Sequence, residues 1–483
     1  MAFDSAGEMN HNPLKTVNSL QKTEMRLDEA ARRHWESLRA NIVHKFNMLW
    51  STPEFGNMEY VASGALCDWL EEHGFRVMRG VCGLPTAFRA ESGEGGPAIA
   101  LLAEYDALPG TDNAALAYRS RTGKAAGHAC GHNLIGPANC AAAIAAAACA
   151  REAGLAGRVV VLGTPSEEIV WGKVAMLGLG AFEGIDAMLT SHGDYQNGAI
   201  SRPCQAVMNG EIVFLGESGH GGGIRRLNAL DAAELAVQSL ERLRAHHFPD
   251  ASLEHVLRVG GHIPNVTPDE ARLWFTARHA DFERARTVFD FAVGVAERAA
   301  EMTGVAFRHQ FIAGTRGYLP NDTLARALHS ALDFTGPPRW TAEGRDFMQA
   351  LAKACRPDGN FTLDEGLGLY TEGIDPYGQD DGEASWRIPL GRVNWAFPQE
   401  VPLHNWALTA LAGHAASHPG PLMASEALAI AAVRLLADPA TIEAAKAELR
   451  RRVEGVALGE PAFGALETMR HRPETFWDAS WVE

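Results

Sequence analysis

The chain has 483 residues, too many for one ordinary core, and this length predicts two domains. With 46% hydrophobic and 21% charged residues it has the balance of a soluble globular protein, and a formal net charge of −16 argues against a nucleic-acid partner. Its seven cysteines are odd in number and follow no disulfide-framework spacing, which fits a reducing, cytoplasmic compartment.

The N-terminal stretch MAFDSAGEMNHNPLK lacks the apolar core of a signal peptide. Asp28 to Trp50 reads as one helix, with Leu38, Ile42, Phe46 and Leu49 on a single stripe. A second helix near Tyr60 to Glu72 stops at Gly74. Ala98 to Ala103 is a continuous apolar run, expected for a strand buried on both faces of a parallel sheet. The apolar stretch Pro137 to Ala150 contains Asn139 and is shorter than the about 20 residues that cross a bilayer, so no membrane partner is expected. Val159–Gly163 and Ala187–Thr190 read as further strands with helical patterns between them, the order of a layered α/β domain.

Between about Cys204 and Arg316 the pattern changes to strand, helix, strand, strand, helix, strand: Ile212–Leu215, Ala229–Arg244, His255–Val259, Arg272–Ala277, Phe282–Met302 and Val305–Phe311. That order is the ferredoxin-like split βαβ arrangement. The predicted architecture is therefore a catalytic α/β/α domain with a mixed, largely parallel sheet, formed by residues 1–203 and 317–483. A ferredoxin-like α+β domain, residues 204–316, is inserted into it. Helices at Ser425–Leu436 and Thr441–Val453 end the chain, and both polar termini are read as either loose or wrapped on another surface.

Several groups along this order carry metal-type chemistry. Glu104-Tyr105-Asp106 ends the strand Ala98–Ala103, and the carboxyl ends of parallel strands are where ligands bind. The segment Gly127-His128-Ala129-Cys130-Gly131-His132 sets a thiolate and imidazoles within a few residues, before an alanine-rich helix. Sulfur and imidazole donors suit zinc, and manganese in some sites; a nucleophilic Cys–His pair is the competing reading. Glu167-Glu168 follows Val159–Gly163 through the turn Thr164-Pro165-Ser166. Adjacent carboxylates there can divide ligand and proton-transfer roles, although a helix start carrying acidic residues for its dipole looks the same. His192 ends the strand Ala187–Thr190, and His404 lies in Pro402-Leu403-His404-Asn405-Trp406. Each histidine alone has a structural reading; the ordered set points to one metal centre.

Those motifs resemble the metal-dependent aminoacylase and carboxypeptidase family, on the branch of p-aminobenzoyl-glutamate hydrolase-like amidohydrolases. The resemblance rests on Leu101-Leu102-Ala103-Glu104-Tyr105-Asp106-Ala107-Leu108-Pro109 and Gly-His-Ala-Cys-Gly-His-Asn from 127, and on Thr-Pro-Ser-Glu-Glu at 164–168. It extends through Asn-Ala-Leu-Asp-Ala at 228–232, Pro-Asn-Val-Thr-Pro at 264–268, Tyr-Leu-Pro-Asn at 318–321 and Pro-Leu-His-Asn-Trp at 402–406. It implies two divalent ions, Mn²⁺ or Zn²⁺, held by Cys130 as a bridge with His132, Glu168, His192 and His404. It assigns Glu167 as general base, Asp106 as the acid that orients a ligand, and Asn265 as a substrate contact. His220 matches a histidine of the inserted domain that reaches the partner's active site and steadies an oxyanion, which implies a homodimer or higher homo-oligomer through that domain. The family's Ala-His-Ala-Ala is Gly219-His220-Gly221-Gly222 here, and Glu383 stands for the second aspartate of Asp-Val-Gly-Asp-Val-Ser-Trp.

The implied reaction is hydrolysis of an amide in a small carboxylate-bearing substrate, an N-acyl amino acid or an aminobenzoyl-glutamate-like conjugate, by a metal-activated water with Glu167 as base. Arg278 and Arg316 are the basic residues available to grip the carboxylate; Trp386, Trp395 and Trp406 suit an aromatic pocket or core packing equally. Two alternatives stay open at this point. One is hydrolytic deamination of an amino-substituted aromatic acid at the same metals. The other is a non-catalytic, metal-binding member of a larger assembly.

Overall fold

A computed structural model describes residues 13–224 and 226–481; the N-terminal stretch up to residue 12 lies outside the described residues. Its centre is an eight-stranded sheet. The strands run in the order Arg76–Arg79, Phe88–Glu94, Gly157–Gly163, Ala98–Ala103, Ala187–Asp194, Leu390–Ala396, Gly198–Ile200 and Gly368–Tyr370. The four in the middle are parallel: Gly157–Gly163, Ala98–Ala103, Ala187–Asp194 and Leu390–Ala396. The edges add antiparallel pairs. The middle strands are almost wholly buried because helices cover both faces, and Ala98–Ala103 reads as an unbroken apolar run for that reason. Parallel strands share one carboxyl edge, and that edge positions the metal-type donors.

Helices His132–Ala153 and Pro419–Ala437 pack together and are buried along nearly their whole length. The first is 22 residues long, longer than the stretch Pro137–Ala150 suggested, and it and the segment Ala415–Ala437 are long and apolar enough to span a bilayer. Their windows are 94% and 89% buried inside the protein, which accounts for the apolar composition by core packing. The expected helix Asp28–Trp50 is two helices, Pro13–Glu36 and Arg39–Ser51. The Ser37 hydroxyl donates to the His34 carbonyl at 2.6 Å, and Leu38 N–H bonds Trp35 O rather than the carbonyl four residues back. A serine competing for the helix's own carbonyls ends the first helix there.

The segment from Ala206 to Thr315 forms an antiparallel sheet with the order Ser252–Val259, Glu270–His279, Ala206–Leu215, Ala306–Thr315, backed by helices Ala229–His247 and Phe282–Thr303. That strand order is ferredoxin-like. Ala206, Met208, Ile212 and Phe214 face the helices and build a separate core with Leu240, Phe275 and Phe289. Alternation sends Asn209 and Glu211 to the opposite face, toward the α/β body. A fifth strand, Ala462–Phe463, comes from the C-terminal segment, which wraps this opposite face and ends with Trp481 buried. The polar-looking tail is thus tied down.

Candidate metal centre

The carboxyl ends of the four parallel strands supply most of the site. Glu104 and Asp106 follow Ala98–Ala103, Glu167 and Glu168 follow Gly157–Gly163, His192 lies near the end of Ala187–Asp194, and His404 follows Leu390–Ala396. Cys130 and His132 enter from the turn before helix His132–Ala153, where Gly131 takes φ +84°. That left-handed position suits glycine and turns the chain sharply between the two donors. His404 is itself left-handed at φ +56°, and its N–H bonds Ala129 O at 2.8 Å, which ties it to the Cys130 loop.

Donor atoms converge in two groups that share the sulfur. Cys130, His132 and His192 offer one ligand atom each within 4.8 Å of one another, and so do Cys130, Glu168 and His404. Cys130 Sγ lies 3.5 Å from His192 Nε2, and His404 Nε2 lies 3.3 Å from Glu168 Oε2. Asp106 accepts from His132 Nδ1 at 2.8 Å, and Gly193 O accepts from His192 Nδ1 at 2.7 Å. Both bonds fix the tautomer that leaves Nε2 free to ligate. Asp106 also receives the Glu168 N–H at 3.0 Å, so one carboxylate orients two members of the set.

The residues fit two divalent cations on three counts. His132 Nε2, Glu168 Oε1 and Glu104 Oε2 are buried and have no hydrogen-bond partner among the described residues, which in a folded interior is costly unless another ligand answers them. Five carboxylates, Glu104, Asp106, Glu167, Glu168 and Asp380, are buried here beside the ammonium of Lys173. One thiolate with imidazoles and carboxylates is a donor set for borderline metals. Burial would lower His132, yet Cys130, Glu168 and Asp106 outweigh it and hold a proton there well above the ordinary range. Burial, and then Glu104 and Asp380, push Glu167 well above the usual carboxylate range, and Glu168 is pushed up to about 8 mainly by burial.

Glu167–Ile169 is a single 3₁₀ turn bracketed by two non-glycine residues in the left-handed region, Ser166 at φ +61° and Val170 at φ +53°. A β-branched residue there is strained, so surrounding contacts must hold the turn. Asn57 Nδ2 donates to Ser166 Oγ at 3.0 Å, and Glu59 accepts the Ser166 N–H at 2.9 Å.

The pocket at these candidate ligands is lined by Cys130, Glu167, Glu168, His192, His404 and, from the inserted domain, Arg278, with Tyr377 and Gln379 on another wall. Arg316 is elsewhere: it is bound to Glu383 at 2.7 Å beneath the ring of Phe282, in a structural ion pair. His220 and Asn265 sit at an exposed two-stranded ribbon in which Gly219–His220 pairs with Val266–Thr267, strands distant in sequence, with Gly221 N–H bonding Asn265 O at 2.9 Å, and neither lines this pocket within the chain. Sequence reasoning passed over Lys173, whose ammonium reaches Glu104 at 2.7 Å and Asp380 at 2.6 Å. Its one signal is a lysine amid the apolar run Ile169–Leu179.

The model of peptidase family M20/M25/M40 matches residues 100–432. The chain belongs to that family. As an M20 protein it is a metal-dependent hydrolase of the amide- and peptide-bond class. It is 30% identical over 434 residues to a p-aminobenzoyl-glutamate hydrolase subunit of Escherichia coli (strain K12), covering 83% of this chain and 90% of the relative. It is 29% identical over 444 residues to the Xaa-Arg dipeptidase of Mus musculus, covering 89% and 91%. Among solved structures, a dinuclear metal-binding M20 peptidase, the YxeP protein of Bacillus subtilis, superposes with a TM-score of 0.53 at 22% identity, over 83% of this chain and 99% of that one. The M20 fold is the α/β body with its largely parallel sheet.

Proposed function

We propose that this M20 hydrolase cleaves the amide bond of a small carboxylate-bearing substrate, an N-acyl amino acid or an aminobenzoyl-glutamate-like conjugate. The observation that carries the reading is the pair of donor groups sharing Cys130, with buried Glu167 beside both. Two divalent cations bound there, Mn²⁺ or Zn²⁺, would supply a water of raised acidity and polarise the scissile carbonyl. Cys130, common to both groups, would hold them together with His132 and His192 on one side and with Glu168 and His404 on the other. Glu167 takes a proton from the attacking water and returns it to the leaving amine. Arg278, at the pocket wall, receives the substrate carboxylate. His220 of the partner subunit steadies the oxyanion in a homodimer joined through the inserted domains; its exposure on a short two-stranded ribbon outside its own pocket supports that role. The reaction would take place in the cytoplasm.

The test is Glu167→Gln, a nearly isosteric change that removes the base and keeps the hydrogen-bonding volume. The variant should bind two metal equivalents by elemental analysis yet lose at least about 10²-fold in kcat on p-aminobenzoyl-glutamate or N-acyl amino acids. Near-normal turnover would remove Glu167 from the mechanism. Chelation should abolish activity in the native protein, and product analysis should find a free amino acid without ammonia.

A further inference from the structure

The turn that carries Glu167 and Glu168 is held from three directions, and one of them is the inserted domain. Ser166 is fixed by Asn57 and Glu59, and Glu168 N–H is fixed by Asp106. The last carbonyl of the turn, Ile169 O, accepts from Asn209 Nδ2 at 2.9 Å, a bond buried between the α/β body and the strand Ala206–Leu215. Asn209 is 3% exposed. Its other amide atom, Oδ1, accepts from the indole N–H of Trp274 on the neighbouring strand Glu270–His279. An indole nitrogen only donates, so Trp274 fixes the amide with its NH₂ toward Ile169. Trp274 sits opposite Glu211, one alternate position along from Asn209, on the same sheet face. Trp274 is wedged in turn. The Arg258 guanidinium lies 4.9 Å from its ring, Phe476 of the C-terminal wrap packs edge-on at 5.3 Å, and Arg258 donates to the carbonyls of Phe476 and Trp477.

We infer that Asn209 is a positioning residue for the Glu167–Glu168 turn, held in its donating orientation by Trp274. A turn with Ser166 and Val170 both left-handed relaxes if one of its holders is lost. Relaxation at Ile169 moves Glu168, its chain neighbour, and therefore the Cys130–Glu168–His404 side of the centre. The Cys130–His132–His192 side takes no ligand from the turn and is coupled to it only through Cys130 and Asp106, so it is disturbed less. The inserted domain thus sets the geometry of one of two metal positions through a single side-chain amide.

This rests on the reading of Glu168 as a ligand and Glu167 as base, and the experiment separates the two. Asn209→Leu removes both amide bonds at similar volume, and Trp274→Phe removes only the indole donor. Titration calorimetry of the metal-free full chain with Zn²⁺ should show the second equivalent weakened about tenfold in Asn209→Leu with the first affected much less, as expected for a lost orienting partner. With p-aminobenzoyl-glutamate, kcat should fall about tenfold at constant KM. Trp274→Phe should give a smaller loss of the same kind, and the double variant should be no worse than Asn209→Leu, since both act on one path. A merely structural role would lower Tm and leave the two zinc equivalents equally affected, and that result overturns the proposal. If substrate turnover is absent in every protein, the zinc titration decides alone. An inactive Glu167→Gln with a wild-type Asn209→Leu sinks the positioning role and spares the functional reading; an active Glu167→Gln sinks that reading itself.

Discussion

Glu59 shows how strongly single side chains are perturbed around the site. It is fully buried, and burial, followed by the charge of Asp106, pushes its pKa up to about 8. The unfolded chain would release that proton near the ordinary carboxylate value of about 4.3. A folded-state pKa raised above the unfolded one contributes stability that is fully present below the lower value and is lost as pH rises through the upper one. The metal-free protein should therefore lose stability from this group between about pH 4.5 and about pH 8, and no more above that. Glu59→Gln mimics the protonated acid: its carbonyl can still accept from Ser166 N–H, and its amide can face Thr86 Oγ1, now 2.7 Å from the carboxylate. The Tm of the variant should gain about 2–4 °C on the native protein across that window, read by scanning calorimetry at several pH values. Parallel profiles would show that Glu59 ionises normally.

At the scale of elements, the turn 165–172 decides whether the centre can form. Gly172 opens helix Gly172–Gly178, and a Cβ placed there would lie 1.6 Å from Pro165 O, a backbone atom that cannot step aside. The chain folds back on itself so tightly that Trp171 and Gly172 N–H both reach Ser166 O. Gly172→Ala should cost about 2–3 kcal/mol of stability and reduce metal stoichiometry below two, measured by denaturant unfolding and elemental analysis. Unchanged stoichiometry would mean that the turn opens without moving Glu168. Much of this element was legible in the sequence, because strand, turn and Glu167-Glu168 are contiguous and the strand's apolar run points to a carboxyl edge. Cys130 and His132 were legible for the same reason, with Gly131 between them marking the bend. The holders were not. Asn209 is 40 positions from Ile169, Lys173 pairs with Asp380 across 207, and nothing in the local pattern distinguishes these residues from ordinary strand and helix positions. That Arg316 is drawn away from the pocket of the candidate ligands was hidden for a related reason. Its partner, Glu383, lies 67 residues away, and a buried ion pair looks in sequence like two surface charges.

Over the whole molecule, the short strand pair bearing His220 poses a geometric question that a mixing experiment answers. Within the chain His220 is exposed and lines no wall of the metal pocket, whereas Arg278 of the same inserted domain does. If the domain pairs with a second copy and His220 serves the partner's site, Glu167→Gln and His220→Ala proteins should each be nearly inactive alone. Mixed in equal amounts and allowed to exchange subunits, half of the dimers pair one of each. In those, the site on the His220→Ala protomer has an intact Glu167 and receives an intact His220 from its partner; the other site lacks both. The mixture should therefore recover about one quarter of native activity, one site in two within one dimer in two, a recovery that depends on the twofold arrangement and on nothing else. A histidine acting on its own pocket would leave the mixture as inactive as its components, because every site would then lack either the base or the oxyanion donor. The three glycines after His220, Gly221 to Gly223, carry no side chain that restricts the backbone next to that strand.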